Sequence, residues 1–363
     1  MQRIAVQPEG SHYDVVVDAG GLERASTYLD HLAQSRRIFV IADSQAYSAQ
    51  GERLKAGLGS LPFDEITIEL GEGRKRLAIV EELAEELHRR GADRGSLVIA
   101  VGGGVAGDVA GFVAASYMRG IDFVQIPTTL LAQVDASVGG KTGVNLATGK
   151  NLVGAFHQPK LVLIDPETLN SLPDREYRAG LFEVVKHGII RSRDLFDFMD
   201  EYRHQVLARE PAALERVISE SVLIKSDVVK RDEREGGLRK ILNYGHTLGH
   251  ALEAETQYKR YLHGEAIGWG MIAAGRLAEL LDKLSRDDRR RAEDLILAYG
   301  GIPSAAGLDA KNIAARIHGD KKTIGGRVHF ILADTIGQVG VVVDPPTDQV
   351  VRATQQAIDA LPA

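Results

Sequence analysis

The chain contains no cysteine. That excludes disulfide frameworks, thiolate metal sites and cysteine nucleophiles, so any transition metal must be held by histidine and carboxylate. It also suits a reducing compartment. Long hydrophobic runs are missing too: the most apolar stretches, Leu97–Val101 and Leu161–Ile164, are far too short to span a bilayer. The opening residues, MQRIAVQPEGSHYDVVVDAG, lack the basic-then-apolar arrangement of a secretory leader, and a cytoplasmic location is the expectation. There is no excess of positive charge. With 44 Lys and Arg against 50 Asp and Glu, the net charge is −6. Such a chain has no general attraction for nucleic acid or anionic membranes, so a substrate phosphate must be met by locally placed cations. Repeats and low-complexity tracts are absent, and the charge-dense stretch Arg286–Asp294 reads as a solvated helix face.

What is present is the composition of a globular protein with a full core, 44 % hydrophobic and 26 % charged, in 363 residues, which favours two domains. Short apolar runs alternate with amphipathic stretches up to about residue 165. Strands are expected at Arg37–Ala42, Ile66–Leu70, Ser96–Val101 and Phe123–Ile126, and helices at Leu77–Arg90 and Val105–Met118. In the first of these helices Leu77, Val80, Leu83, Ala84 and Leu87 form one apolar face. Alternation of this kind predicts a parallel α/β sheet, with Arg3–Gln7 and Tyr13–Val17 as an antiparallel hairpin at its edge. Beyond Asp165-Pro166 the chain reads as helices over Asp174–Ile190, Pro211–Lys230, Asn243–Glu255, Gly264–Lys283 and Arg286–Tyr299, then a hairpin of Val328–Ala333 and Gly337–Val343. The expected division is therefore 1–165, α/β, and 166–363, mostly helical.

Several motifs carry chemistry. VGGGVAGD, from Val101 to Asp108, runs out of a strand into a helix; glycines there permit close backbone approach to a phosphate at a helix N-terminus, or simply a tight turn. It departs from the ordinary dinucleotide setting, because its strand is not the first of the domain. Gly71-Glu72-Gly73-Arg74-Lys75 follows another strand, and Asp43 ends a third; both suit ribose and phosphate binding, or plain loop solvation. The segment Pro127–Lys160 mixes glycines, threonines and Lys141, Lys150 and Lys160 with apolar residues, which reads as an anion-binding loop, or else a long structural crossover, rather than a solvent loop. His246 and His250 stand four apart on one helix face, His263 opens the next helix, and Glu183, Lys186 and His187 lie on an apolar helix upstream. Neutral imidazoles with one carboxylate suit a catalytic zinc site with an open position. No glutamate lies between the paired histidines as in H-E-x-x-H, which excludes the zinc-protease pattern. On spacing alone, His250 and His263 are equal candidates for the metal.

Together these stretches resemble the 3-dehydroquinate synthase family of sugar phosphate cyclases. The resemblance covers about Asp43 to Gly340 and is carried by GGGVAGDVAGFVAASYMRG, IPTTLLAQVDASVGGKTGVN, GKNLVGAFHQPK, AGLFEVVKHGII, LNYGHTLGHALE and LHGEA. It implies a Rossmann-like NAD-binding domain followed by a mostly helical metal-binding domain. It further implies Glu183, His246 and His263 as ligands of a divalent metal, zinc or cobalt. Asp43, Gly71, Glu72, Lys75, Gly104, Val105, Gly107, Asp108, Thr128 and Thr129 would line the NAD site, with Thr168 near it. Asp135, Lys141, Asn151, Lys186, Lys225, Arg239, Asn243, His250 and one of Lys321 or Lys322 would face the substrate, with Lys141 and Lys150 shared between the two groups. Arg119 would reach the phosphate across a homodimer interface. Gln45 departs from the family's more usual Asn or Glu beside the adenosine. The implied substrate is 3-deoxy-D-arabino-heptulosonate 7-phosphate, with neither nucleic acid nor membrane as partner. Rival readings are a 2-epi-5-epi-valiolone or 2-deoxy-scyllo-inosose synthase, a glycerol-dehydrogenase-type enzyme, for which the lysines of 141–160 have no use, and an inactive NAD-binding protein.

Overall fold

The computed structural model describes residues 1–317 and 327–361, which leaves Lys321 and Lys322 outside the described residues. The chain divides into two compact units. One comprises Met1–Leu172 and Leu214–Lys230, the other Pro173–Ala213 and Arg231–Ala363. The division expected near residue 165 thus falls at Leu172, and a stretch inside the helical half returns to the first unit, which no local pattern in the sequence signals.

The first unit is built on a seven-stranded sheet. Its strands are β1 (Gln2–Val6), β2 (Tyr13–Val17), β3 (Ile38–Asp43), β4 (Phe63–Ile68), β5 (Leu97–Gly102), β6 (Asp122–Pro127) and β9 (Leu161–Ile164), in the order β1-β2-β9-β6-β5-β3-β4. All neighbours are parallel except β1 and β2, which form the expected edge hairpin. The central strands are apolar throughout because both faces are covered. Alternate residues of each strand point to opposite faces. Ile38, Val40, Leu97 and Ile99 therefore pack with α1 (Ala25–Ala33) and α2 (Ser44–Leu58). Phe39, Ile41, Val98 and Ala100 pack with α3 (Leu77–Arg89) and α4 (Gly104–Ser116). The buried face of α3 is Ile79, Leu83 and Leu87, whereas Leu77 is exposed. The expected stripe was rotated because Leu77 was counted into the core, while the spacing of four that actually packs begins at Ile79.

The Pro127–Lys160 segment is ordered secondary structure rather than loop. A π-helical turn spans Ala132–Ala136, and β7 (Lys141–Leu146) pairs antiparallel with β8 (Gly149–Phe156) as a separate hairpin. Gly143 and Gly154 make the hairpin possible: a Cβ on Gly154 would lie 2.0 Å from the Thr142 carbonyl oxygen. Glycines that suggested a loop are here the means of close strand contact.

The second unit holds α5 (Asp174–Arg191), α6 (Arg193–Glu201), α7 (Arg203–Leu207), α9 (His246–Glu255), α10 (His263–Leu280), α11 (Arg286–Tyr299), α12 (Ala310–Arg316), the hairpin β10 (His329–Thr335) with β11 (Gln338–Val343), and α13 (Thr347–Asp359). The long α8 (Pro211–Arg231) contributes its first residues here and Leu214–Lys230 to the other unit. The central element is α10, buried along most of its length. Its glycines set the helix spacing. A Cβ on Gly264 would stand 1.9 Å from the carbonyl oxygen of Ala179 in α5, and one on Gly270 2.0 Å from that of Gly245, just before α9. The helix expected from Asn243 starts at His246 instead. Leu238–Asn243 is 3-10, and Gly245 turns the chain at φ 78°, the left-handed region that glycine enters without cost.

Candidate functional site

In the first unit the topology selects the site. From β3 the chain runs outward to β4, returns to the far side of β3 as β5 and continues to β6. The carboxyl ends of β3 and β5 therefore flank a topological switch point, the place where open α/β sheets bind ligands. Asp43 ends β3 and Gly102-Gly103-Gly104 leaves β5 for α4. A Cβ on Gly102, at φ 146°, would meet Asp43 Cβ at 3.1 Å and Ala106 Cβ at 2.7 Å. Among the described residues no side chain caps the start of α4 in hydrogen-bond geometry, so that helix end presents backbone N–H groups suited to a phosphate. Gly103, Gly104 and Gly107 also have packing reasons, since a Cβ on each would press Thr129, Ala136 and Gln125 respectively. Val105 is half-buried in the first turn of the same helix. Gly71 and Gly73 differ, with open space where a Cβ would stand.

Not every expected residue has its side chain available. Asp43 caps α2 by accepting from Gln45 N and Ala46 N at 3.2 Å, and accepts from Leu70 N at 2.9 Å. Gln45 thus meets Asp43 through its backbone. Thr168 is buried, donating to the Asp165 carbonyl at 2.8 Å and accepting from Gln133 Nε2 at 3.0 Å, so its hydroxyl serves the interior. Thr129 Oγ1 accepts from Ala132 N at 3.2 Å, and Thr128 N bonds to Gly102 O at 2.9 Å.

A polar network ties the Gly71–Lys75 loop to the β7–β8 hairpin. Buried Lys75 donates to Asp108 Oδ2 at 2.5 Å and to Asn151 Oδ1 at 2.6 Å. Burial pushes the Asp108 carboxyl above its ordinary range, against the opposing pull of the Lys75 ammonium. Asn145, missed by sequence reasoning, is the centre of this network. Its Nδ2 donates to Glu72 at 2.8 Å, its Oδ1 accepts from Asn151 N at 2.7 Å, and its own N donates to Lys75 O at 2.8 Å. Lys150 Nζ stands 3.8 Å from Glu72. Asn151 is at φ 51°, a left-handed turn that asparagine tolerates. Buried Lys225 of α8 donates to Asp135 Oδ1 at 2.6 Å and to its carbonyl at 2.5 Å, a contact within the first unit. Lys141 at the start of β7 is exposed, as is Arg119, which sits at φ 72° after α4.

In the second unit, α5 buries Glu183, Lys186 and His187 completely or nearly so. Glu183 Oε1 lies 3.9 Å from His246 Nε2 and 4.0 Å from His263 Nε2. Lys186 forms an ion pair with Oε2, yet among the described residues no donor meets either Glu183 oxygen in hydrogen-bond geometry. The Lys186 ammonium offsets part of the cost of burying this carboxylate at Oε2, and Oε1 is the oxygen turned toward the two imidazoles. Ligands about 2.1 Å from a tetrahedral metal lie roughly 3.4 Å apart, so these two separations are slightly wider than in a closed site, and the donor set is of the right chemistry for zinc or cobalt. The rings of His246, His250 and His263 stand 5.3 to 5.7 Å apart, centre to centre, and present nitrogens within 4.8 Å of one another. Geometry thus keeps His250 within the same cluster.

The approach to α9 is braced by Asp232. Its carboxylate accepts from the backbone N–H groups of Gly236, Gly237 and Arg239 at 2.7 to 2.8 Å. Burial works against its ionisation, but these donors hold the carboxyl below its usual value. Arg239 is buried and donates to the Glu233 carbonyl; Asn243 donates to Glu235 at 2.7 Å. Asp232 and Glu235 are further residues that no motif singled out.

The profile of 3-dehydroquinate synthase N-terminal matches residues 65–179, and that of 3-dehydroquinate synthase C-terminal matches 180–323. A 3-dehydroquinate synthase from Solibacter usitatus (strain Ellin6076) is 54 % identical over 91 % of this chain and 92 % of its own length. The chain belongs to the 3-dehydroquinate synthase family. Solved structures place that family in a wider fold. A 2-deoxy-scyllo-inosose synthase complexed with carbaglucose-6-phosphate, NAD+ and Co2+ is similar with a TM-score of 0.89 and 27 % identity, covering 98 % of this chain and 100 % of that one. The 2-epi-5-epi-valiolone synthase from Streptomyces hygroscopicus subsp. jinggangensis 5008, with NAD+ and Zn2+ bound, gives 0.89 and 30 %, covering 99 % of each. The expected class, a Rossmann-like parallel sheet with a helical second part, is that of these proteins.

Proposed function

We propose that the chain converts 3-deoxy-D-arabino-heptulosonate 7-phosphate to 3-dehydroquinate and phosphate, using catalytic NAD and a divalent metal. The observation that carries this is the buried, incompletely satisfied carboxylate of Glu183 facing His246 and His263, in a chain 54 % identical to a protein named for that reaction. The metal ligands in this reading are Glu183, His246 and His263. The NAD residues are those at the carboxyl ends of β3 and β5 and in the Gly71–Lys75 loop. When bound, NAD supplies reversible hydride acceptance, and the metal a Lewis acid that acidifies a hydroxyl.

The rest falls to the protein and the substrate. Once the C5 alcohol is a ketone, the adjacent C–H is acidic and phosphate leaves by β-elimination, its own oxygen taking the proton. Lys141, Asn151 and Arg239, with Lys321 or Lys322, hold the phosphate and its developing charge. Lys186, Lys225 and Asn243 fix the carboxylate and hydroxyls, with Asp135 orienting Lys225. After re-reduction the ring opens and closes by an intramolecular aldol reaction, and His250 moves the proton. The same reading puts the enzyme in the cytoplasm as a homodimer, with Arg119 reaching the phosphate held by the partner. Among the described residues no helix is long and apolar enough to cross a membrane.

The test is turnover. With the heptulosonate phosphate, NAD and zinc, phosphate release should match dehydroquinate formation and NADH should not accumulate. Turnover of sedoheptulose 7-phosphate instead would assign the chain to another cyclase activity, and net NADH from glycerol would make it a dehydrogenase.

A further inference from the structure

Glu253 has no part in the scheme above, yet it is a buried carboxylate, 3 % exposed, beside the proposed metal cluster. It lies on α9, and its Oε2 stands 3.5 Å from His263 Nδ1. The other nitrogen of that ring, Nε2, faces Glu183 Oε1 at 4.0 Å. His263 is therefore held between two carboxylates, one for each ring nitrogen. His246 shows the same arrangement with a different acceptor: its Nδ1 faces the Tyr244 carbonyl at 3.1 Å, and its Nε2 faces Glu183 Oε1 at 3.9 Å. Two imidazoles from different helices thus turn the same nitrogen toward the same carboxylate oxygen, each with an acceptor behind it.

We infer that Glu253 is a positioning residue for the metal site. It holds His263 in the tautomer with the proton on Nδ1 and the lone pair on Nε2. The inference rests on the reading of Glu183, His246 and His263 as ligands. Backbone placement supports it. His263 is the first residue of α10, and the carboxylate of Glu265 accepts from Leu262 N at 2.7 Å while paired with Arg175. Gly264 lies against the Ala179 carbonyl with no room for a side chain. These contacts fix where the imidazole starts but not how its ring is turned. A half-turn about the last side-chain bond would put Cδ2 and Cε1 where Nδ1 and Nε2 now stand, and Glu253, whose Oε2 also lies 4.0 Å from His250 Nε2, is placed to oppose it. An acidic group at this point has a cost that packing alone does not explain, because a buried carboxylate needs a partner. Outer carboxylates of this kind orient metal-bound imidazoles, and their loss typically lowers metal affinity 10- to 100-fold.

The experiment compares the full-length protein with Glu253→Gln, Glu253→Asp and His246→Ala. Zn2+ and Co2+ dissociation constants are read by chelator competition, the Co2+ visible spectrum is recorded, and folding of each apoprotein is checked by circular dichroism. Glu253→Gln keeps the shape and removes the charge. It should weaken both metals by about 10- to 100-fold and alter the Co2+ bands, with NAD affinity unchanged. Glu253→Asp retains an acceptor at longer reach and should fall between. Wild-type metal affinity together with a wild-type Co2+ spectrum in Glu253→Gln would overturn the inference. Should that variant not fold, wild-type values in Glu253→Asp would do the same. His246→Ala separates the two levels: if it loses the metal while Glu253→Gln keeps it, only the role of Glu253 fails, whereas wild-type affinity in His246→Ala overturns the ligand reading and this inference with it.

Discussion

Removing the Lys75 ammonium should expose how the Asp108 carboxylate is maintained. Lys75 is 4 % exposed and Asp108 23 %, with 2.5 Å between Nζ and Oδ2. Breaking a buried pair by deleting one partner costs about 3–5 kcal/mol, because the other charge is left uncompensated. Water reaches Asp108 in part, so the low end, about 3 kcal/mol at pH 7, is the expectation for Lys75→Met. Lys75→Met/Asp108→Asn leaves no stranded charge and should be more stable than Lys75→Met alone, with a coupling above ~1 kcal/mol. The pH dependence has a definite sign. Burial already raises the Asp108 carboxyl in the folded state, and loss of Lys75 raises it further. The folded state then binds the proton more tightly than the unfolded chain. Stability of Lys75→Met should be best below the ordinary carboxylate range and fall as pH rises from there through the raised value. The assay is urea unfolding of Lys75→Met, Asp108→Asn, the double variant and wild type at a series of pH values from the ordinary carboxylate range upward. Equal stability of the single Lys75 variant and the double variant at pH 7 would refute the reasoning.

Two further perturbations probe other links. Asn145→Ala removes the bonds that join Glu72 to Asn151; by titration NAD affinity should fall about tenfold, or ~1.4 kcal/mol, with metal content unchanged. Gly270→Ala places a Cβ 2.0 Å from the Gly245 carbonyl oxygen and 2.8 Å from Gly249 N. It should destabilise by about 1–3 kcal/mol and displace α9 with His246. Gly275→Ala, in the same helix, meets its nearest atom at 3.6 Å and should be tolerated in the same thermal-unfolding comparison.

The extent to which the site was legible from residues follows from what each signal reports. Strands such as β3 and β5 were readable because two-sided burial makes them continuously apolar. The helices α5, α10 and α11 were readable within a few residues, because local periodicity lies in the chain itself, and so do the serine after α5 and the serine and glycine that bound α11. Legibility failed where glycine served packing between distant segments. Gly143 and Gly154 looked like loop residues until each was seen against the facing strand. Gly103, Gly104 and Gly107 looked like a phosphate loop and are also contact points for Thr129, Ala136 and Gln125. Thr168 stood beside the cofactor residues by resemblance, yet its hydroxyl bonds inward. Asn145, Asp232, Glu235 and Glu253 carried no motif, since an isolated polar residue declares its role only through its partners.

What the sequence by itself determined is the inventory: histidine and carboxylate as the available metal donors, glycine and lysine after particular strands, and the alternation that makes a parallel sheet. Those follow from composition and from interactions within a few residues. Only the tertiary structure decided that β3 and β5 are neighbours, and hence that Asp43 and Gly102 share a switch point although they lie far apart along the chain. It likewise decided that Leu214–Lys230 belongs with the first unit and that one oxygen of Glu183 faces Nε2 of both His246 and His263. The reason is the same in each case. Strand order and helix spacing are set by which apolar faces and glycine contacts satisfy one another across the whole chain, and no window of local sequence contains both partners.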